Sequence, residues 1–197
     1  MKAVYIFAAL ALVFAAVGSV GAQEEGTQCV VPVEMINLGA GPAPMLERVP
    51  DDQFDEAYML MAYQQSSDIA ALAAYGLDHA SSQDIKVFSR KIAMERIDIR
   101  NDLKRWYWQY NNRIMPEPTT ERQEVLLAAL YGCCGADFDC RYAQLMIELM
   151  QQTGDAAELA IDNTENLDLL FQARVAQRTN ENEIRAFQRW LDSGSLR

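Results

Sequence analysis

Three of the chain's four cysteines lie within nine residues, in the stretch GCCGADFDC that runs from Gly132 to Cys140, and the fourth is Cys29. Cysteine sulfur can bind a soft metal, carry redox chemistry or form disulfides. An even number of cysteines in an exported chain is typical of a disulfide framework, so we interpret all four as disulfide cysteines. A bond between the neighbours Cys133 and Cys134 would be strained, so we expect Cys29 to pair with one of them and Cys140 with the other. A redox role for Cys140, near the start of a predicted helix, is the weaker alternative.

Methionine thioethers are the other soft ligands in the chain. Met146 and Met150 are four residues apart, which is about one helical turn, and with Cys140 they form the candidate donor set of a Cu(I) site. Methionine is also an ordinary gap-filler in helical cores, and both residues lie on or near an apolar stripe. Core packing is therefore our preferred interpretation. We expect no cofactor and keep periplasmic copper binding as the alternative function.

The residue types that most enzymes use are scarce. His79 is the single histidine, in the loop-like stretch GLDHASS, and no nucleophile motif accompanies it. A di-iron site of the ferritin type needs a Glu-x-x-His motif on each of two helices, and zinc sites need more histidine or free cysteine than the chain offers. An acidic row, Asp155, Glu158, Asp162 and Glu165, is the one set suited to a hard cation, although a solvated helix face explains it as well. We therefore predict that the protein is not an enzyme.

The N-terminus predicts export. Lys2 precedes the unbroken apolar run from Ala3 to Val17, and small residues stand before a cleavage point after Ala22. The run is short for a membrane span, so we expect a cleaved signal peptide, no stable membrane anchor after cleavage, and a periplasmic or secreted product. The alternative is an uncleaved N-terminal anchor. A formal net charge of −11 argues against nucleic acid and anionic membranes as partners.

The elements that must position these residues are helices. Apolar residues recur at helical spacing from about Asp52 to Gly76 and again from Ile85 to Trp106, while strand signals are almost absent. Ser81 with Asp84 and Thr120 with Gln123 resemble capping boxes. We divide the chain into a signal peptide (1–22), an irregular tail (23–50), a first helical hairpin (51–113), a linker with a short helix (114–136) and a second hairpin (137–197), with 51–197 as one domain.

The two predicted hairpins match each other when the chain is shifted along itself without gaps. The shift that places Phe54-Asp55 on Phe138-Asp139 also places Tyr58 on Tyr142. Arg105-Trp106 falls on Arg189-Trp190 in the same shift. These matches indicate a duplicated helical hairpin. Because one hairpin cannot bury both of its apolar stripes, we predict that the two pack together as an all-α four-helix bundle.

Both predicted units carry short motifs, such as DCRYAQLMIELMQQ and NENEIRAFQRWL in the second. Their order resembles the domain-of-unknown-function 305 family of exported, ferritin-like helical bundles. The resemblance covers about residues 51–192. Its matching positions in the second unit are Asp139, Tyr142, Met146, Ile147, Glu183, Ile184, Phe187, Trp190 and Leu191.

The resemblance implies a helical bundle and, for some members, copper handling through paired histidines. Those paired positions fall on Leu149-Met150 in the second unit and on Gln65-Ser66 in the first, so the histidines are missing. We therefore expect a non-enzymatic binding or interaction role in the cell envelope, with an unknown envelope protein or small ligand as partner. Copper binding through methionine and cysteine is the alternative.

Overall fold

The computed structural model describes residues 41–193, and within that range the secondary structure is helical, with no strand. The predicted all-α fold is confirmed. Four helices of 27 to 29 residues form the bundle, and two short helices accompany them. The six are α1 (Ala43–Leu46), α2 (Asp51–His79), α3 (Gln83–Asn111), α4 (Glu121–Ala128), α5 (Gly135–Asn163) and α6 (Leu167–Ser193). None of these helices combines the length and the apolar character that crossing a bilayer requires.

The two hairpins are equivalent in register. The shift that places Phe54 on Phe138 also places both ends of α2 on the ends of α5, and the first residue of α3 on the first residue of α6. The caps correspond as well: Ser82 Oγ accepts from the N–H of Ile85 at the start of α3, and Asn166 Oδ1 accepts from the N–H of Leu169 at the start of α6. The structure thus supports the duplicated hairpin that the sequence predicts.

The predicted capping box at Ser81 is wrong by one residue. Ser82 is the cap, because its Oγ accepts from the N–H of Ile85, whereas the N–H of Ser81 donates to Asp139 Oδ1 at 2.9 Å. Thr120 does precede α4, but its side chain makes no capping hydrogen bond.

Each hairpin holds the loop of the other. Asp139, near the start of α5, accepts from the backbone N–H groups of Ser81 and Ser82 in the α2–α3 loop, at 2.9 and 2.7 Å. Asp55, its counterpart on α2, accepts from Thr164 Oγ1 in the α5–α6 loop at 2.6 Å. These reciprocal bonds tie the two hairpins together at both ends of the bundle, and they explain why Phe-Asp recurs at both positions.

Two buried tyrosines, further along the bundle, also form hydrogen bonds from each hairpin to the other. Tyr58 on α2 donates to Gln172 Oε1 on α6 at 2.8 Å, and the hydroxyls of Tyr142 on α5 and Ser89 on α3 lie 2.7 Å apart. Burial raises the pKa of both phenols, so both stay protonated. Gly76 admits the ring of Tyr142: a Cβ at that position would lie 2.4 Å from ring carbons.

The core falls into two clusters along the bundle axis, and α2 packs along α3, α5 along α6, and α2 against α5. The backbones of α3 and α6 come less close to each other than those of α2 and α5. That side of the bundle is therefore the one where long side chains must bridge the gap.

The structure corrects the predicted cysteine pairing. Cys133 and Cys134 are free thiols, whereas Cys140 is buried and disulfide-bonded, with its partner outside the described residues. Cys134 is the N-cap of α5, and six residues at the helical rise separate it from Cys140 by ~9 Å, beyond the ~7 Å that a disulfide spans between Cα atoms. Cys29 and the predicted signal peptide also lie outside the described residues.

Candidate binding cleft between α3 and α6

A buried ion pair bridges α3 and α6. Arg96 on α3 is 1% exposed, and its Nη2 lies 2.8 Å from both Glu183 Oε2 and Asn180 Oδ1 on α6. Glu183 is itself 5% exposed. A buried guanidinium and carboxylate tolerate removal from water because each satisfies the other.

The charges continue outward from this pair to solvent. Lys91 Nζ lies 2.8 Å from Glu95 Oε2 and 3.5 Å from Glu183 Oε1. The Lys91 side chain is 57% exposed, so its contact with Glu183 is the loose, solvent-facing end of the network. Glu183 therefore has one oxygen held firmly inside the bundle and one near its surface.

Burial raises the pKa of Glu183 to about 7, against the attraction of Arg96 and Lys91. Glu95 behaves in the opposite way. Burial acts to raise its pKa, but hydrogen bonds with Glu183 and Lys91 outweigh that effect and lower it. When this carboxyl pair holds one proton, the proton thus resides on Glu183 and not on Glu95.

An apolar cavity opens beside the network. Its volume is about 260 Å³. Phe88 and Phe187 meet there edge to face, with ring centroids 5.6 Å apart. The carboxyl of Glu183 is thus part of a hydrocarbon-lined wall, an arrangement that can hold an apolar body and fix one polar group. The lining residues are Phe88, Lys91, Ile92, Asn182, Glu183, Ala186 and Phe187.

The network contains spare hydrogen-bond donors. Arg96 Nε and Asn180 Nδ2 are buried and have no hydrogen-bond partner among the described residues. Unpaired buried donors are costly and uncommon in native structures. The polar interior next to the cleft is thus not saturated by the chain's own acceptors in residues 41–193.

The structure does not assemble the sequence-predicted metal ligands into a site. Met146 and Met150 are both 0% exposed and belong to the same hydrophobic core cluster, as core packing predicts. Cys140 is bonded and supplies no thiolate. Among residues 41–193, no three His, Cys, Asp or Glu side chains come together in a way that could hold a metal ion.

The other candidates are surface features. His79 is the last residue of α2 and not a loop residue, and it is exposed and stacks on Tyr75, with ring centroids 3.9 Å apart. The acidic row from Asp155 to Glu165 is exposed, in agreement with a solvated helix face. The positions matched to the missing histidines, Gln65-Ser66 and Leu149-Met150, are buried in the bundle.

Sequence reasoning missed the cleft. It placed Glu183 in a family motif and did not single out Arg96 at all. A signal was available, since Arg96 lies four residues after Ile92 and seven before Leu103, which are both buried residues of the α3 stripe. A charged residue in a core register predicts a buried partner.

The fold and the cleft together define a four-helix bundle of two hairpins, each of which bonds the loop of the other. One side of the bundle, between α3 and α6, is polar and partly open. The sequence profile of the family described as Domain of unknown function (DUF4142) matches residues 52–188, and the chain belongs to this family. The motifs resembled domain-of-unknown-function 305, so that label is corrected: the matching family is a different one, also of unknown function. No curated protein matches the sequence.

Two solved structures share the fold. They are CopM in the Cu(II)-bound form and CopM in the Cu(I)-bound form, each with a TM-score of 0.63 and 22% sequence identity. Each match covers 71% of this chain and 96% of the CopM chain. At this identity the likeness establishes the fold of the bundle.

We expect Glu183→Gln to change how stability depends on pH. The pKa of Glu183 is about 7 in the folded chain against an ordinary value of 4.5, so folding loses stability as pH rises between these values. The difference corresponds to roughly 3 kcal/mol at most. Urea unfolding between pH 5 and pH 8 should show this loss in the parent protein and a flatter profile in Glu183→Gln. The exposed Glu181→Gln on the same helix is the control. If Glu183→Gln keeps the parent's dependence of stability on pH, the assignment of the raised pKa to Glu183 is contradicted.

Proposed function

We propose that this protein is a non-enzymatic, exported binding protein that takes a small organic amine with a hydrocarbon body in the cleft between α3 and α6. One observation carries the proposal: the Glu183 carboxyl lines an apolar cavity, and its charged neighbours apart from Arg96 are Glu95 and the exposed Lys91, whose Nζ lies 3.5 Å from the outer oxygen. A ligand ammonium can replace that loose contact at little cost, since exposed ion pairs are worth about 0–1 kcal/mol.

The chemistry of the cleft favours a cation over a neutral or anionic ligand. The inner oxygen of Glu183 is fixed by Arg96, so the carboxylate is held ready to accept a charge-assisted hydrogen bond on the other side. The rings of Phe88 and Phe187 add faces that attract an ammonium group. The net charge of −11 draws cations toward the protein as a whole.

The lining residues also support binding over catalysis. None of them carries a hydroxyl or a thiol. Burial acts to lower the pKa of the one amine, Lys91, but its hydrogen bonds with Glu95 and Glu183 outweigh that effect and raise the pKa, so the amine stays protonated and is a poor nucleophile. Ser89, on the same helix, has its hydroxyl engaged by Tyr142 in the buried core. We infer that the cleft retains its ligand without chemical change.

Titration with octylamine, octanol and octanoate, followed by NMR shifts or calorimetry, tests the ligand class. We expect octylamine to bind at least about tenfold more tightly than the other two, a difference of ~1.4 kcal/mol for the ion pair. The affinity for octylamine should rise as pH increases through 7, because Glu183 must lose its proton to pair with the amine.

Two variants locate that binding. Ala186→Trp fills the cavity and should abolish the shifts, whereas Gln188→Trp, at an exposed position on the same helix, should leave them intact. Equal affinity for all three probes refutes the amine specificity. Binding that survives Ala186→Trp places the ligand elsewhere.

Copper binding is the second candidate, and the fold likeness to copper-bound CopM is the observation that favours it. Met146 and Met150 would supply two thioethers from adjacent turns of α5. Both are fully buried, so the core would have to open for a copper ion to reach them, and within residues 41–193 no group of three His, Cys, Asp or Glu residues could hold the ion in their place. The residues present thus give an incomplete donor set.

Anaerobic titration with Cu(I) against a chromophoric chelator decides between the candidates. Copper binding by this pair predicts one retained Cu(I) per chain, with affinity lowered more than tenfold by Met146→Leu with Met150→Leu. Met94→Leu, at an exposed methionine of α3, is the matched control. Failure of the parent protein to compete with the chelator eliminates this candidate.

A further inference from the structure

α3 has a second apolar stripe on the side that faces away from the core. Its inner stripe contains the buried residues Ile85, Ile92 and Leu103. Advancing two positions along a helix turns the chain by about 200°, to the opposite face. Val87 and Met94 stand there, and Ile97 and Trp108 lie within about 60° of Met94 around the helix. The four side chains are 52%, 63%, 51% and 59% exposed.

The outer positions follow the spacing of a helix-packing seam. Residues 87, 90, 94, 97, 101, 104 and 108 are separated alternately by three and four, the spacing of a and d positions in a coiled coil. Four of the seven are apolar, and the remaining three are Arg90, Asn101 and Lys104. We define these seven residues as the outer seam of α3. Exposed apolar residues in such a row are the mark of a surface that binds another helix.

Surface depressions lie along both sides of the outer seam. A depression of about 410 Å³ runs along one side, past Val87 and Met94. Another of about 370 Å³ lies on the other side, between Ile97 on α3 and the small residues Ala70, Ala71 and Ala74 on α2. Side chains of a docked helix would have recesses to enter on either side.

Four of the five charged residues at the positions flanking the seam are basic, and two of them, Lys91 and Arg105, form ion pairs with Glu95 and Asp102 of the same helix. The flanking positions are Lys86, Ala93 and Arg100 on one side and Lys91, Asp98 and Arg105 on the other. α3 as a whole carries seven basic and four acidic residues, in a protein whose net charge is −11. In α2, by contrast, six acidic residues stand with no lysine or arginine. The basic flanks of the seam thus distinguish α3 from α2, the other helix of its hairpin.

This charge pattern selects the partner. Two copies of α3 packed antiparallel would bring the basic flanks of one against those of the other, which repels. We propose that the outer seam of α3 docks an amphipathic helix of a partner protein whose apolar stripe is flanked by acidic residues. This surface lies on the outer side of α3. It shares Lys91 with the cleft but does not require the ligand proposed there.

The test uses two synthetic helical peptides with the same Leu/Ile stripe at heptad spacing, one with Glu and one with Lys at the flanking positions. Fluorescence anisotropy with the mature protein should show the Glu peptide binding at least about tenfold more tightly, with an affinity that falls as salt is raised. The double variant Met94→Asp with Ile97→Asp should abolish binding. Both positions are exposed, so the fold is retained, which circular dichroism checks.

Val175→Asp, at an exposed apolar residue of α6, is the control and should bind the Glu peptide normally. Equal binding of the two peptides, or an equal loss in Val175→Asp, overturns the proposal. Sedimentation equilibrium of the protein alone supplies a separate check. If the parent protein is a dimer and the Met94→Asp/Ile97→Asp variant is a monomer, the seam binds a second copy of this chain, and the proposal of an acidic partner is overturned.

Discussion

Two charges that are almost entirely removed from water constrain one side of this bundle. Arg96 and Glu183 face each other from α3 and α6, and neither could be buried without the other. A pair of this kind needs room for two long side chains between the helix axes. α3 and α6 are correspondingly less closely packed than the other neighbouring helices, and the space that remains beside the pair is the apolar cavity. The cleft is therefore a consequence of how the charges are accommodated.

The rest of the fold holds α3 and α6 at that separation. Asp139 and Asp55 each bond the loop of the opposite hairpin, and Tyr142 and Tyr58 each reach the second helix of the opposite hairpin. Because each hairpin bonds the other in this way, neither hairpin can shift without breaking bonds at both ends of the bundle. Trp190 adds a further link, since its Nε1 donates to Ser82 Oγ at the start of α3. The polar side of the bundle can thus be less tightly packed while the other sides remain close.

Much of this architecture follows from local sequence. Helical spacing and the absence of strand patterns predict the four long helices, and the internal repeat pairs Asp55 with Asp139, whose matching roles the structure shows.

The predictions that are wrong are those that depend on tertiary geometry. The cap at Ser82 cannot be told from one at Ser81 in the sequence, because the two serines are neighbours and the Asp139 that accepts from both of their N–H groups is distant in the chain. The predicted cysteine pairing is wrong because it rests on parity and neighbour strain, whereas the helical rise excludes a Cys134–Cys140 bond and the structure leaves Cys133 a free thiol as well. The cleft was missed because Arg96 is meaningful only with its partner on α6.

A double-mutant cycle at pH 8 tests the central claim, that the Arg96–Glu183 pair is a buried, mutually dependent unit. Arg96→Met and Glu183→Met are each compared with the parent and with the double variant by urea unfolding. Removing one partner strands the other charge, so we expect each single change to cost roughly 3 kcal/mol or more, and the double variant to lose less than their sum by more than about 1 kcal/mol. Additive losses, or single variants as stable as the parent, would contradict this account of the bundle.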